Sequence, residues 1–328
     1  MSAGVPRGAA RPVTTRLVAA CVLCAAIAAR APAQPAPVSP ESPGSHASHG
    51  ARAATSAAPA SDDAARAAFA ARAAEGTAAF RDRRAAVAAG YRRLGLDFPA
   101  MGEHWVNPGL VIAGRFDVAR PAMLSYARVR GEPALVGVVY AVPLAPGEPP
   151  PAIPGDRALW HEHNGTIDEE TVVPSHGAAR DAGHAAAHDA PAVGTRLAIL
   201  HAWTGAPNPA GLFVSDNWTL PFVRLGLAVP ATVDPFAARA LSLASGGEPY
   251  WLALVANGAP LAAATEAAVR DALRTGRAAA EAIVARPRPD DALPSADVAE
   301  LRAVWLRVVE RAGAVAGGAA AGRLRGEG

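Results

Sequence analysis

Ala134-Leu-Val-Gly-Val-Val-Tyr-Ala-Val142 is the stretch whose reading decides the fold. It is apolar, largely β-branched, and closed at both ends by prolines, Pro133 and Pro143. That combination specifies a buried strand and argues against a helix, because β-branched side chains fit a pleated surface and proline punctuates a run. Gly131-Glu-Pro133 then reads as a hairpin turn back to a preceding strand, Met123 to Val129. Leu110 to Ala113, Thr195 to Trp203 and Leu212 to Val214 read as further strands, and Leu159 to His163 as a short strand or loop. In the Thr195 segment, Leu197, Ile199, His201 and Trp203 should share one face, since alternate residues of a strand point the same way.

Helical signals flank this β-rich centre. Ser61-Asp-Asp63 supplies a cap and first-turn acids, and Phe69, Ala73, Phe80, Val87, Tyr91 and Leu94 recur at helical spacing. They predict a helix from 61 to about Leu94, closed by Gly95 and Pro99. After residue 231 the pattern predicts helices near 235–245, 248–256, 261–285 and 295–313, the last with Val298, Leu301, Trp305, Val308 and Ala312 on one face. The expected fold class is therefore α+β: an N-terminal helix packed on a mainly antiparallel β domain, followed by a helical C-terminal segment.

The expected organisation begins with a signal peptide at 1–33. It has a basic start (Arg7, Arg11, Arg16), an apolar run from Leu17 to Ala29 too short to span a bilayer, and small residues at Ala31 and Ala33 before cleavage at Gln34. A lipoprotein anchor at Cys21 is the alternative reading of the same segment. A Pro- and Ser-rich linker at 34–60 follows, then the helix plus β-rich domain at 61–230, helices at 231–316 and a frayed tail at 317–328. The destination is secretion or the periplasm, with no stable membrane insertion once the signal is cleaved.

Composition removes several chemistries. The chain contains no lysine, so a Walker-type phosphate loop and Schiff-base catalysis are excluded. Cleavage would remove Cys21 and Cys24, leaving no disulfide, thiolate ligand or cysteine nucleophile. It would also leave 27 basic residues against 29 acidic ones, a balance that gives no support for nucleic-acid binding. No G-x-S-x-G elbow occurs.

What remains is histidine. Met101-Gly-Glu-His-Trp-Val-Asn-Pro108, Trp160-His-Glu-His163 and Leu200-His-Ala-Trp203 each set histidine beside or near tryptophan. His161 and His163 are two apart and face one way on an extended backbone, as strand-borne metal ligands do. With His201 and His104 they make a candidate set for a divalent metal, Zn or Cu, with Fe or Mn lower in order because those ions favour an added carboxylate. Glu103, Glu162 and Glu169 are the candidate carboxylates. The expected function is a secreted metal-binding protein of unknown role whose partner is a metal ion or small ligand. Two alternatives are carried with it: a metal-dependent hydrolase or oxidoreductase using the same histidines, and an interaction module in which the histidines only pack.

The order Gly90-Tyr91, Met101-Gly-x-His104-Trp-Val-Asn-Pro108, Pro121-x-Met-Leu-x-Tyr126, Leu135-Val-Gly-Val-Val-Tyr140, Leu200-His-x-Trp203 and Asn208-Pro-x-Gly-x-Phe213 resembles a family of uncharacterised secreted bacterial proteins. That family has M-G-x-H-[YW]-V-N-P near the start and L-H-x-W…N-P-x-G-x-F near the end. The resemblance spans about 85–222. It implies equivalent positions for His104 and His201 and brings no assigned activity.

Overall fold

Why the central run is a strand is clear once its neighbours are in place. The computed structural model describes residues 59–155, 157–163 and 196–326, all within one compact unit, Ser56–Gly328. The run lies inside β4 (Glu132–Leu144), between β3 (Met123–Val129) and β6 (Arg196–Ala202). Together with β1 (Arg92–Phe98), β2 (Gly102–Val106) and β5 (His161–His163) they form a six-stranded antiparallel sheet of order β1-β2-β3-β4-β6-β5. A strand at the centre is covered on both faces, which is why it reads as nearly continuous apolar sequence rather than as an alternation.

The two faces of the sheet do different work. Leu124, Tyr126, Val138, Tyr140, Val142, Leu144, Ala198, Leu200 and Ala202 fill one apolar cluster. Phe69 of helix α1 (Pro59–Gly76) enters that cluster, edge-on to Tyr140 and Phe213 at 5.6 and 4.9 Å between ring centres. Met123, Val139, Ala141 and Ile199 occupy the opposite face with Val111. Three tyrosine hydroxyls anchor the covering segments: Tyr91 donates to the Pro121 carbonyl, Tyr126 to that of Phe80 and Tyr140 to that of Val118.

The structure corrects several local expectations. The helix predicted to reach Leu94 stops early. α1 ends at Gly76, a 3₁₀ turn follows at Ala78–Arg81, α2 covers Arg83–Ala88, and Arg92–Phe98 is strand β1. At Gly76 the backbone packs directly on Ala119, where a Cβ would collide with the carbonyl oxygen, and at Gly90 (φ +98°) the chain turns at a left-handed position, after which Leu94 pairs with His104. Leu110 to Ala113 is not a strand. Asn107 caps a short helix α3 (Pro108–Ala113), accepting from the Leu110 amide, with Pro108 as the first helical residue. The hairpin turn between β3 and β4 is Arg130-Gly131, both at positive φ (50° and 89°), which fits a two-residue turn one step earlier than read. Leu212 to Val214 forms turns, not a strand.

Beyond the sheet, α4 (Leu220–Leu225) leads into α5 (Pro235–Ala244), α6 (Glu248–Ala256), α7 (Ala263–Val284) and α8 (Ser295–Ala316). These bury Leu241, Trp251, Leu273 and Trp305 in a separate apolar cluster. The expected frayed tail is instead largely α9 (Gly318–Arg325), because Ala320, Ala321 and Leu324 find burial against it and the Trp305 indole donates to the Leu324 carbonyl at 3.2 Å. Phe98 and Met101 of the β1–β2 hairpin belong to this helical cluster. Arg224 adds a seam: its guanidinium grips both Asp97 carboxylate oxygens at 2.7 and 2.6 Å. Among the described residues no helix is long and apolar enough to cross a membrane. The expected signal peptide at 1–33, the expected linker as far as residue 58, and Glu169 lie outside the described residues.

Candidate functional site

Local sequence places His104 first. Gly102 starts β2 at φ +82°, and a Cβ there would stand 2.5 Å from the Tyr126 carbonyl oxygen, so only glycine lets β2 lie this close to β3. His104 then falls opposite Leu94 on one side and Ser125 on the other. Both neighbouring ladders are irregular at this point. The β1–β2 register shifts between Leu94 and Asp97, and the β3–β4 register shifts at Ser125/Tyr126. Such irregularities bend and twist a sheet, and both fall close to the histidine.

Side chains from distant strands meet here. His104 on β2 and His201 on β6 are three strand steps apart, about 14 Å on a flat sheet. Their ring centres are 5.4 Å apart. The intervening strands carry small residues here: Ser125 pairs with His104, and Gly137 pairs with Ser125. A Cβ on Gly137 would meet the Ala202 carbonyl at 3.0 Å and the Trp203 ring at 3.3 Å. His161 completes the group from β5, pairing with Ile199, with its ring centre 5.6 Å from that of His201. His201 is therefore the central member. It is 2% exposed and His104 8%, while His161 is part-buried.

Aromatic rings and a loop wall the group. Phe98 tilts onto His104 at 5.3 Å, and Trp203 lies along His201 at 6.3 Å. Ser215 approaches His161, Oγ to Nδ1, at 3.5 Å. The segment carrying Ser215 is held by its own polar groups. Asn217 Nδ2 donates to the Pro207 carbonyl, and Asn217 Oδ1 accepts from the Thr219 amide and hydroxyl. The Asn217 amide donates to Ala100, Asn208 Nδ2 donates to the Asp216 carbonyl, and the Trp203 indole donates to the Val214 carbonyl. The tryptophans and asparagines of the motifs thus act as scaffold. Behind Phe98, Tyr250 packs edge-on at 5.6 Å, and burial, followed by the Asp216 charge, pushes its phenol well above the ordinary range.

The expected site residues sort as follows. His104, His161 and His201 come together. His163 pairs with Leu197 and Glu162 with Ala198 through the β5 backbone, and their side chains lie outside the described set. Glu103, a candidate carboxylate, is adjacent to His104 on a strand and so points to the other face. There Arg83 and Arg93 hold it at 3.3 and 3.6 Å, and the Trp105 indole donates to it at 3.3 Å. It belongs to the scaffold. Ser125, Gly137, Phe98 and Ser215 were missed as site residues. The alternation Met123/Ser125 on a predicted strand was the one signal pointing to Ser125; nothing local marked the others.

Two imidazoles bound to one tetrahedral ion at about 2.0–2.1 Å set their ring centres about 5 Å apart, close to both spacings around His201. Among the described residues, however, no three or more His, Cys, Asp or Glu groups are positioned in this conformation to hold a metal ion. No protein-family model matches the chain, and no curated protein and no solved structure matches it.

Proposed function

We propose that this is an exported metal-binding protein that takes one Zn or Cu(II) ion at the histidine group. His201 would be the shared ligand, with His104 and His161 closing on the ion from either side and His163 the remaining candidate. The observation that supports this most is the pair of ring spacings about His201, 5.4 and 5.6 Å. Imidazole is the commonest metal ligand, and three of them without thiolate suit Zn or Cu. Because the three rings do not already form a coordination sphere, binding needs a rotamer change in at least one of them. His161 is the natural one to move, being the least buried of the three.

A second reading is favoured by the same lack of a preformed sphere: the histidines pack, metal-free, between Phe98 and Trp203. A metal-dependent enzyme has less support, since Glu103 faces away from the rings and is engaged by two arginines. Elemental analysis and chelator-competition titration of the mature chain separate the readings. The expected result is one equivalent of Zn or Cu in the wild type, lost in His201→Ala, with circular dichroism confirming that the variant is folded. Equal substoichiometric metal in both proteins would sink the metal reading and leave the packing one.

A further inference from the structure

A second concave site lies away from the histidines, between α1 and the loop that follows α3. It is a hollow of about 440 Å³ lined by Arg72, Arg115, Arg120 and Asp117, with Leu110, Phe116 and Val118 among its apolar walls. The volume falls in the range of ordinary small-molecule sites, about 300–1,000 Å³. Three arginines and a single carboxylate line it. Asp117 is only loosely paired with Arg72, at 3.7 Å, and its Oδ1 also accepts from the Ala119 amide at 3.0 Å. Among the described residues, neither Arg115 nor Arg120 forms an ion pair. Positive charge is therefore in excess at one concavity, in a chain whose expected mature form is slightly acidic.

The loop carrying these arginines is fixed before any ligand arrives. Tyr140 donates to the Val118 carbonyl at 2.8 Å and Tyr91 to the Pro121 carbonyl at 2.7 Å, and the Arg120 amide closes a turn on the Asp117 carbonyl at 3.0 Å. Phe116 is wedged against Tyr140 and Trp160 at 5.1 and 5.5 Å. A pinned backbone spares a ligand the cost of ordering it. Guanidinium forks match the planar geometry of carboxylates and the oxygens of phosphates. We propose that this hollow binds a small polyvalent oxyanion, a phosphate or a di- or tricarboxylate, gripped by Arg72, Arg115 and Arg120 above the Phe116 ring.

The inference is independent of the histidine group, and its test leaves those residues untouched. Inorganic phosphate, citrate and acetate are titrated into the mature chain and followed by calorimetry, by thermal shift and by Trp160-sensitive fluorescence. Citrate or phosphate should bind in a salt-sensitive manner and raise the melting temperature, with acetate much weaker. Preference between the first two tells carboxylate from phosphate. The Arg115→Ala/Arg120→Ala variant should keep the wild-type melting temperature without ligand, since neither side chain is ion-paired, and weaken binding at least about tenfold, as loss of a charged hydrogen bond does. Arg115→Lys/Arg120→Lys should recover part of the affinity. Absence of binding by both polyanions at millimolar concentration, or unchanged affinity in the alanine variant, overturns the proposal.

Discussion

The sheet and the C-terminal helices are both well buried, yet they spend burial differently. In the helical part the interior is almost wholly apolar, with Trp251 and Trp305 ring to ring at 4.5 Å and Leu241, Leu273 and Leu301 completely enclosed. Around the sheet the interior also holds Glu103, His104, Ser125, His201, Ser215, Asn217 and Thr219. Burying polar groups is costly unless each is satisfied, so a region that does it repeatedly has a use for them. Glu103, Asn217 and Thr219 return their cost as hydrogen bonds that hold strands and loops in place. The three histidines instead lie ring against ring in the same interior, with 5.4 and 5.6 Å between neighbouring centres, and the candidate site is therefore on the sheet rather than among the helices.

Alkali tests the contrast hardest. Tyr91 is pushed up to about 12 by burial, and Tyr126 and Tyr140 are raised further, again chiefly by burial. A phenol whose folded pKa exceeds its unfolded value adds stability that is complete below the unfolded value and is lost as pH rises through the folded one. Stability should therefore hold to about pH 10 and collapse from there through about pH 12, with tyrosinate absorbance and loss of circular dichroism rising together. Tyrosinate appearing well before unfolding would mean that the three anchors do not hold the sheet.

Trp305→Ala should cost about 3–5 kcal/mol in denaturant unfolding, the usual toll for emptying a packed aromatic site, while leaving the histidine group intact in any molecules that remain folded. Arg224→Ala attacks the seam. Removing one member of a buried ion pair costs about 3–5 kcal/mol, and the partial exposure of Asp97, 25%, sets the expectation at the lower end. Gly102→Ala should cost about 1–3 kcal/mol from backbone strain. It should also disturb His104 more than any helix substitution of equal cost, a displacement readable in the histidine NMR signals. Asn107→Ala removes a helix cap and a bond to the Ala89 carbonyl and should cost about 1 kcal/mol. An Asn107→Ala variant as damaging as Trp305→Ala would erase the distinction between scaffold detail and core.

The helical part was largely legible before any coordinates. Four helices fall where apolar periodicity and proline punctuation put them, and Val298, Leu301, Trp305, Val308 and Ala312 do form the face of α8 that packs inward. β3, β4 and β6 were legible for the analogous reason, because period-two patterns and proline boundaries are local. The misreadings share a cause as well. Tyr91 and Leu94 continue a helical spacing by coincidence, and only strand pairing with β2 overrides it at Arg92–Phe98. Val-Ile-Ala after Pro108 has strand-like composition, yet the Asn107 cap settles it as helix.

The sequence alone determined which residue types were available for chemistry: arginine without lysine, and histidine, with four of the nine set in three tryptophan-bearing motifs. It also determined that His201 shares a strand face with Leu197, Ile199 and Trp203, because that follows from a period of two. Only the tertiary structure decided that Gly102–Val106 is a strand, which sends His104 and Glu103 to opposite faces, and that His104 reaches across β3 and β4 to His201. The reason is geometric: His104 and His201 are brought together by strand order and register across β3 and β4, with register shifts in two of the ladders. Those are properties of how strands register against each other, and no single stretch of sequence contains them.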